Sequence, residues 1–486
     1  MNTKTKVTML CIFSLLCGVL LQVSIGWAQT ERTVGLIARD VRAYEGYNLY
    51  KTLGGTEVHL INNAGNSVHK WTLPTNIPLR PGGEVFLRKN GELVVTSDRG
   101  IFALKPDSSL SWEINSEDLG PAGRWYGHHE ALELPNGNML VPGFVEKSRS
   151  EAEAAGFDVT AADACAAPAP DLTVLRVDNL WELAPTDQAC GFACGWQVVW
   201  RWDLWEHIVQ NKYPEKSNYV QNLFEYPNKA DISYIDPANG ICGQYIQNAW
   251  TFGRFNAVGY HPERDEIVVS ASLHNEIWII NHKITTEEAK GPKGGLLYRW
   301  GNPYAYGAGD PFVNATDRGD QKISFQHRVQ WIPKGYPGEN HILIFNNGTD
   351  WQESSVLEIV PPIGPDGSYL QALPYGPEAP TWQYDESDTP GSFYAALISS
   401  AQRLPNGNTL INNGPAGYFF EVTCSGEKVW EYINPATGNP ATDAAQGGAP
   451  FGVYRVWRYA PNSQGLSYFN LTPGDPLEKY RYTFAI

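Results

Sequence analysis

Residues 324–332, SFQHRVQWI, place His327 immediately before an alternating apolar run that contains Val329 and Trp331. Alternation of apolar and polar side chains over a short run is typical of a β-strand with one buried face. The pattern predicts that an ionisable ring stands at the start of a strand. Five other stretches of the chain repeat this frame, and the repeat decides the fold.

The repeat consists of a slot residue, a short apolar strand, a tight turn and a second apolar strand. A proline follows the slot residue by six positions in five units, and Lys89 takes this place in the other unit. The turn is Pro-Asn-Gly-Asn in two of the units, which is a hairpin signal. The six slot residues are Gly83, His129, Asn256, His327, Ser399 and Arg455.

A second pair of strands follows most slot units, and its outer strand usually carries a tryptophan. The clearest examples are residues 101–112, 275–300, 417–430 and 56–71. Four short antiparallel strands form a blade, and blades stack radially because one alone cannot bury both faces. The unit at Arg455 lacks outer strands, whereas residues 56–71 lack an inner one. We therefore predict an all-β, six-bladed β-propeller whose ring is closed by N-terminal strands pairing with the C-terminal blade.

Composition and the N-terminus restrict the possible partners and location. The formal charge of −16 disfavours nucleic acid and anionic membrane surfaces as partners. Lys4 and Lys6 precede an apolar stretch and the small-x-small sequence at residues 26–28, which predicts a signal peptide over residues 1–28. The alternative is an uncleaved anchor. With cleavage, residues 29–486 form a periplasmic or secreted propeller without membrane insertion.

Five cysteines remain after removal of residues 1–28, and export makes disulfides permissible. Three of them fall in an Ala- and Asp-rich stretch, residues 147–195, which we predict to be an insertion in the second blade. Cys190 and Cys194 form a local pair, or one of them joins Cys165 or Cys242. Cys424 is the fifth.

The innermost strands of a propeller line its central channel, so the slot residues are expected at one depth around one axis. The predicted channel end carries His129, Asn256, His327, Ser399 and Arg455. His128, Arg254, Arg328 and Arg403 stand close by in sequence, and such cations favour an anion site. Two alternatives remain open: polar residues that hold only water, or a transition metal on His128, His129 and His327.

Several stretches resemble the arylsulfate sulfotransferase family, the exported bacterial type that needs no nucleotide donor. The resemblance spans residues 33–472 approximately. It is carried by HHEALELPNGNML (128–140), LYRWGNPYAYG (297–307), FQHRVQWIP (325–333), ILIFNNG (342–348) and SAQRLPNGNTLI (400–411). It implies a six-bladed propeller that moves a sulfuryl group from a phenolic sulfate ester to a phenol through a sulfated histidine, without a cofactor.

The resemblance assigns roles to residues that match the family motifs. His327 is the expected nucleophile, and His129 with His128 is the expected acid/base or oxyanion donor. Arg254 replaces a family histidine, and Ser272 replaces a family arginine. The residues expected to bind the substrate are Arg254, Asn256, Ser399, Arg455 and, as compensation for Ser272, His274.

Two other functions fit the same channel end. A non-catalytic propeller would bind an anionic or aromatic ligand, or a protein partner, through it. A hydrolase would use water in place of the phenol acceptor. The sequence is also compatible with a homodimer.

Overall fold

Six small sheets arranged as the blades of a β-propeller make up the computed structural model, as the repeat predicts. The structure describes residues 34–75, 83–97, 100–115, 129–165, 171–186, 195–246, 249–386, 392–435 and 452–478. No helix in these ranges is long and apolar enough to cross a membrane. Of the predicted residues, 1–28, His128, Cys190 and Cys194 lie outside the described ranges.

Blades one to three follow one another along the chain, and each starts with its inner strand. Blade one contains Val85–Leu87, Leu93–Ser97, Gly100–Leu104 and Leu110–Asn115. Blade two contains Leu132–Glu133, Met139–Ser148, Val174–Pro185, Trp196–Asp203, Tyr245–Ile246 and Ala249–Phe252. Blade three contains Phe255–His261, Glu266–Ala271, Glu276–Asn281 and Tyr298–Trp300.

Blades four to six complete the ring. Blade four contains Arg328–Trp331, Ile342–Asn346, Ser355–Ile359 and Trp382–Tyr384. Blade five contains Ser400–Arg403, Thr409–Asn413, Tyr418–Val422, Lys428–Ile433 and Gly35–Arg39. Blade six contains Val453–Tyr459, Tyr47–Thr52, Glu57–Asn62 and Ser67–Thr72.

The chain termini close the ring twice. The inner strand of blade six, Val453–Tyr459, pairs with the N-terminal strand Tyr47–Thr52, which confirms the predicted closure. In addition, Gly35–Arg39 pairs with the outer strand of blade five, a contact that the sequence did not predict. One buried apolar cluster lies between each pair of neighbouring blades, so hydrophobic burial holds the ring together.

Short helices lie in the connections between strands. The α-helices are Arg149–Ala155, Val159–Asp163 and Thr286–Ala289. The 3-10 helices are Leu204–His207, Leu223–Glu225, Ile241–Gln244, Ser272–His274, Pro292–Gly294, Pro303–Tyr306 and Gln464–Tyr468. A two-stranded sheet joins Ile208–Val209 to Ala230–Asp231.

The insertion in blade two is shorter than residues 147–195. The helices Arg149–Ala155 and Val159–Asp163 interrupt the blade, but Val174–Pro185 returns to it and pairs along the full length of Met139–Ser148. A disulfide joins Cys165, just after the second helix, to Cys242. Because both of these cysteines are used, neither is available to Cys190 or Cys194.

Candidate active site

His327 lies directly before the inner strand of blade four, as predicted, and is buried. Its Nδ1 lies 2.8 Å from Oδ1 of Asn347 and 3.1 Å from the carbonyl oxygen of Phe325. Both oxygens can only accept, so Nδ1 carries the ring proton and donates it. Nε2 therefore keeps its lone pair, and within the described ranges no hydrogen bond engages it.

Asn347 is itself fixed in orientation. Its Nδ2 donates to the carbonyl oxygens of Ala395, at 2.7 Å, and Ile398, at 3.1 Å. Since the amide nitrogen faces two acceptors, the amide oxygen must face His327. The contacts of Asn347 thus select one tautomer of the histidine. Neither the repeat nor the family resemblance assigned a role to Asn347, although it lies in the stretch ILIFNNG.

The surroundings of His327 keep its ring neutral. Burial lowers the pKa of His327 to about 3, and the positive charges of Arg254 and Arg455 act in the same direction. The hydrogen bonds of Nδ1 to Asn347 and Phe325 oppose this shift only in part. A neutral imidazole with a free lone pair is a competent nucleophile at physiological pH.

Arg254 and Phe325 lie beside His327. The guanidinium carbon of Arg254 lies 5.7 Å from the centre of the Phe325 ring, which meets the His327 ring edge to face at 5.4 Å. The backbone N–H groups of Arg254 and Phe255 donate to the Asp178 carboxylate at 2.6 and 2.8 Å. Blade two therefore holds the backbone of an arginine whose charge acts on His327.

A left-handed backbone conformation recurs where the chain enters four of the inner strands. Positive φ values are uncommon for residues other than glycine and concentrate at functional sites. The residues concerned are His129 (φ 67°), Arg254 (55°), Phe325 (50°), Ile398 (50°) and Ser399 (83°). None of them is glycine, so the sequence did not reveal this bend.

Asn256 holds the peptide that precedes His327. Its Nδ2 donates to the carbonyl oxygen of Gln326 at 2.7 Å, and the Ser270 hydroxyl donates to the same oxygen at 3.1 Å. The side-chain amide of Gln326 in turn donates to the carbonyl of Glu276 at 2.6 Å. The donor group of Asn256 is thus engaged with the backbone, which favours a positioning role over contact with substrate.

Arg455, expected to bind substrate, belongs to a buried ion cluster. It forms ion pairs with Glu84, at 2.6 Å, and with Glu130, which also pairs with Arg328 at 3.0 Å. Burial lowers the pKa of Arg455, but the two carboxylates more than offset this effect and raise it. The cluster contains two positive and two negative side chains, so its guanidinium groups are directed to carboxylates.

Two further predicted substrate residues are packed into the wall. The Ser399 hydroxyl accepts from the N–H of Gly414 at 2.9 Å and donates to the carbonyl of Leu397 at 3.2 Å. His274 is buried, and neither of its ring nitrogens has a hydrogen-bond partner among the described residues. Burial and then the charge of Arg299 lower the pKa of His274 to about 3.

Aromatic rings surround His274 on several sides. Its ring stacks on Tyr234 at 5.3 Å and meets Phe252 and Trp278 edge to face, each at 4.9 Å. This packing gives the histidine a structural role in blade three. His129 is buried at the same end of the channel as His327, with its ring centre 6.4 Å from that of Tyr454.

The site thus consists of a neutral buried histidine and an arginine whose charge acts on it, while His129 and His274 are buried in the wall. Within the described ranges, no group of three His, Cys, Asp or Glu side chains could hold a metal ion. The arrangement suits nucleophilic attack on a group that carries negative charge. Fold and site together define a six-bladed propeller with a candidate histidine nucleophile at one end of its channel.

The arylsulfotransferase (ASST) family model matches residues 87–446, and the chain belongs to this family. The match covers most of the propeller and supports aryl sulfotransfer as the general activity, with a phenolic sulfate donor and a phenol acceptor. A search of curated proteins found no match.

Three solved structures similar to this chain have low identity to it, and their TM-scores are too low to support an argument. A protein of unknown function from Bacteroides caccae is 13% identical, with 80% of this chain and 93% of that chain covered and a TM-score of 0.39. The β-propeller domain of Cps50 (Swd1) from Myceliophteria thermophila is 9% identical, with 83% and 91% covered and a TM-score of 0.38. A streptogramin B lyase is 10% identical, with 82% and 85% covered and a TM-score of 0.34.

Proposed function

We propose that this protein transfers a sulfuryl group between phenols through a sulfated intermediate on His327. The Nε2 lone pair attacks the sulfur of an aryl sulfate and forms an N–S bond. The bond between sulfur and the aryl oxygen breaks, and its electrons leave with the phenolate. A phenol acceptor then attacks the sulfur, loses its proton, and returns the electron pair of the N–S bond to Nε2.

The contacts of His327 suit the charge that develops during attack. The ring becomes an imidazolium as the N–S bond forms, so the hydrogen bond from Nδ1 to Asn347 becomes charge-assisted. Such a bond strengthens in the transition state, which is where an interaction accelerates the reaction. Arg254 supplies positive charge for the sulfuryl oxygens, and His129 is the proposed proton carrier for the leaving and attacking phenols.

One observation carries the proposal: the 2.8 Å contact between Nδ1 of His327 and Oδ1 of the immobilised Asn347 amide. This contact leaves the opposite ring nitrogen unprotonated. The unprotonated Nε2 is the atom that nucleophilic attack on sulfur requires.

The test is intact-mass measurement after mixing the purified protein with 4-nitrophenyl sulfate and no acceptor. We expect a mass gain of one SO3 group, loss of that gain when a phenol is added, and no gain in His327→Ala. His341→Ala is the matched control, because His341 lies in the same blade and bonds Glu358 instead. A gain that survives in His327→Ala would refute the assignment of the nucleophile.

Ser272 motivates a second candidate, a propeller that binds an aromatic anion without turnover. The Ser272 hydroxyl donates to the carbonyl of Arg254 at 3.0 Å and brings no charge to the position where the family has arginine. Saturable binding of 4-nitrophenyl sulfate without adduct or phenol release would establish this candidate and exclude transfer. Release of more than one phenol per protein molecule without an acceptor would instead indicate a hydrolase.

Export to the periplasm or outside the cell is part of the proposal. The Cys165–Cys242 disulfide supports it, because disulfides persist mainly in oxidising compartments. Amino-terminal sequencing of protein from a secreting host would test cleavage after residue 28. A mature chain that still begins at residue 1 would contradict it.

A further inference from the structure

A carboxylate of blade two holds the backbone of Arg254 from one side. The strand Ala249–Phe252 runs parallel to residues 175–177, so the chain that continues from it passes the side chain of Asp178. Both oxygens of this buried carboxylate accept from that chain. Oδ2 accepts from the N–H of Arg254 at 2.6 Å, and Oδ1 accepts from the N–H of Phe255 at 2.8 Å. Hydrogen bonds to an ionised acceptor are stronger than neutral ones.

Blade three holds the same residue from the other side. The N–H and the hydroxyl of Ser272 donate to the carbonyl oxygen of Arg254 at 3.2 and 3.0 Å. The N–H of Leu273 donates to the carbonyl oxygen of Gly253 at 3.4 Å. All four polar groups of the two peptides that flank the Arg254 α-carbon are thus engaged. We call the side chains of Asp178 and Ser272 the Arg254 clamp.

The clamp holds a conformation that the chain would not adopt without support. Arg254 has a φ of 55°, and a left-handed residue other than glycine costs free energy and persists only when its surroundings impose it. The preceding Gly253 has a φ of 98°. A Cβ at this position would lie 3.1 Å from Oδ2 of Asp178 and 2.9 Å from Cδ2 of Leu204. Glycine therefore allows the carboxylate to approach the backbone closely.

The conformation of Arg254 decides where its charge lies. A side chain leaves the backbone at the α-carbon, so the two dihedral angles there set its direction. Arg254 is half-buried, and its guanidinium lies over the ring of Phe325, which contacts His327. We propose that Asp178, together with Ser272, is a positioning residue that fixes the Arg254 guanidinium where it binds the oxygens of the sulfuryl group. This inference rests on the anion-binding role of Arg254 in the proposed function.

A double-mutant cycle on ligand binding tests the clamp. The ligand is 4-nitrobenzenesulfonate, whose sulfur is bonded to a ring carbon and is not transferred, and its Kd is measured by titration calorimetry. Asp178→Asn replaces one acceptor by a donor, so it should raise Kd about tenfold. In an Arg254→Ala background the same substitution should change Kd less than about twofold, because it acts through Arg254. Equal weakening in both backgrounds would refute the positioning role.

A matched variant and a milder one complete the cycle. Asp231 is also a buried aspartate, and it accepts from the N–H and the hydroxyl of Ser233 at 2.8 and 2.7 Å. Asp231→Asn should leave Kd unchanged in both backgrounds. Ser272→Ala removes one neutral hydrogen bond and serves where Asp178→Asn does not fold. It should raise Kd about threefold with Arg254 present and not with alanine there.

The same measurements separate the clamp from the transfer reaction. A wild-type protein that binds the sulfonate with the expected cycle but transfers no sulfuryl group would refute the proposed function and leave the clamp in place. A wild-type protein that does not bind the sulfonate would refute the anion-binding role of Arg254, and the clamp with it. Where transfer is observed, Asp178→Asn should lower kcat/KM for 4-nitrophenyl sulfate about tenfold, and an unchanged kcat/KM would contradict the proposal.

Discussion

Replacement of Asn347 by leucine is expected to lower kcat for sulfuryl transfer by about 10- to 100-fold. A neutral hydrogen bond contributes about 1 kcal/mol, whereas one to a charged group contributes about 1.5–3 kcal/mol. The hydrogen bond from His327 Nδ1 to Asn347 is neutral in the ground state and becomes charged as the ring gains charge. This change stabilises the transition state by about 1.5 kcal/mol, which corresponds to a roughly tenfold increase in rate. Loss of the fixed tautomer adds a further few-fold decrease, because part of the population then carries the proton on Nε2.

Asn412→Leu is a matched control for the structural cost of this change. Asn412 Nδ2 also bridges two carbonyl oxygens of a neighbouring blade, those of Val453 at 3.0 Å and Tyr454 at 3.3 Å. Its Oδ1, however, receives no hydrogen bond from the described residues. Both variants therefore lose two buried hydrogen bonds from the amide nitrogen, but only Asn347→Leu also loses the hydrogen bond to the nucleophile.

The assay is the initial rate of 4-nitrophenol release at saturating donor and acceptor, together with the thermal unfolding midpoint of each variant. The two variants should unfold at similar temperatures, both below the midpoint of the wild-type protein. Equal loss of kcat in both would mean that the effect comes from stability alone. Retention of at least half of kcat in Asn347→Leu would refute the argument from the tautomer.

Two further predictions concern stability. Arg455→Met should lower the free energy of unfolding by about 3–5 kcal/mol, because it leaves the buried carboxylates of Glu84 and Glu130 without a shared cation. Adding Glu84→Gln to this variant should restore part of the lost free energy. A decrease below about 1 kcal/mol for Arg455→Met in urea unfolding would contradict the role of the cluster. Acid should destabilise the protein, because burial depresses the pKa of several histidines in the folded chain, most strongly that of four. These are His274 and His327, to about 3, and His59 and His207, to about 4. The contribution of these neutral histidines to the free energy of unfolding is complete above pH 6.5 and is lost as the pH falls toward their pKa values in the folded protein. The loss is about 2 kcal/mol per histidine at pH 5. Urea midpoints that do not change between pH 7 and pH 5 would contradict this prediction.

The blades could be predicted from the sequence because their signals are local. In the turn at residues 134–138, the N–H of Leu134 donates to the carbonyl of Asn138, and Gly137 adopts a φ of 87° that favours glycine. The same turn recurs in blade five, where Gly407 has a φ of 90°. The fifth strand of that blade, Gly35–Arg39, was missed because nothing within five residues specifies a partner almost 400 positions away.

The depth of the slot residues was predictable, but the direction of their side chains was not. His327 lies where the repeat placed it, whereas its partner Asn347 comes from the next strand, through a register that the sequence does not state. Arg455 was expected to bind substrate, yet the structure pairs it with Glu84 and Glu130. The sequence contained a signal for the ion cluster. Glu84, Glu130 and Arg328 each directly follow a slot residue, and the two glutamates are opposite in charge to the arginine.

The double closure of the ring has a consequence for how the chain folds. The strand Tyr47–Thr52 remains without its inner neighbour until Val453–Tyr459 has been synthesised, and Gly35–Arg39 has no partner before Lys428–Ile433. The contacts that close the ring therefore span nearly the whole sequence. Contacts of such separation form slowly and leave apolar strand edges exposed in the meantime. Because Arg455 belongs to the strand Val453–Tyr459, the ion cluster in the channel forms only when this strand pairs and closes the ring. A truncated chain would keep His327 but lack this cluster, which makes completion of the channel a late folding event.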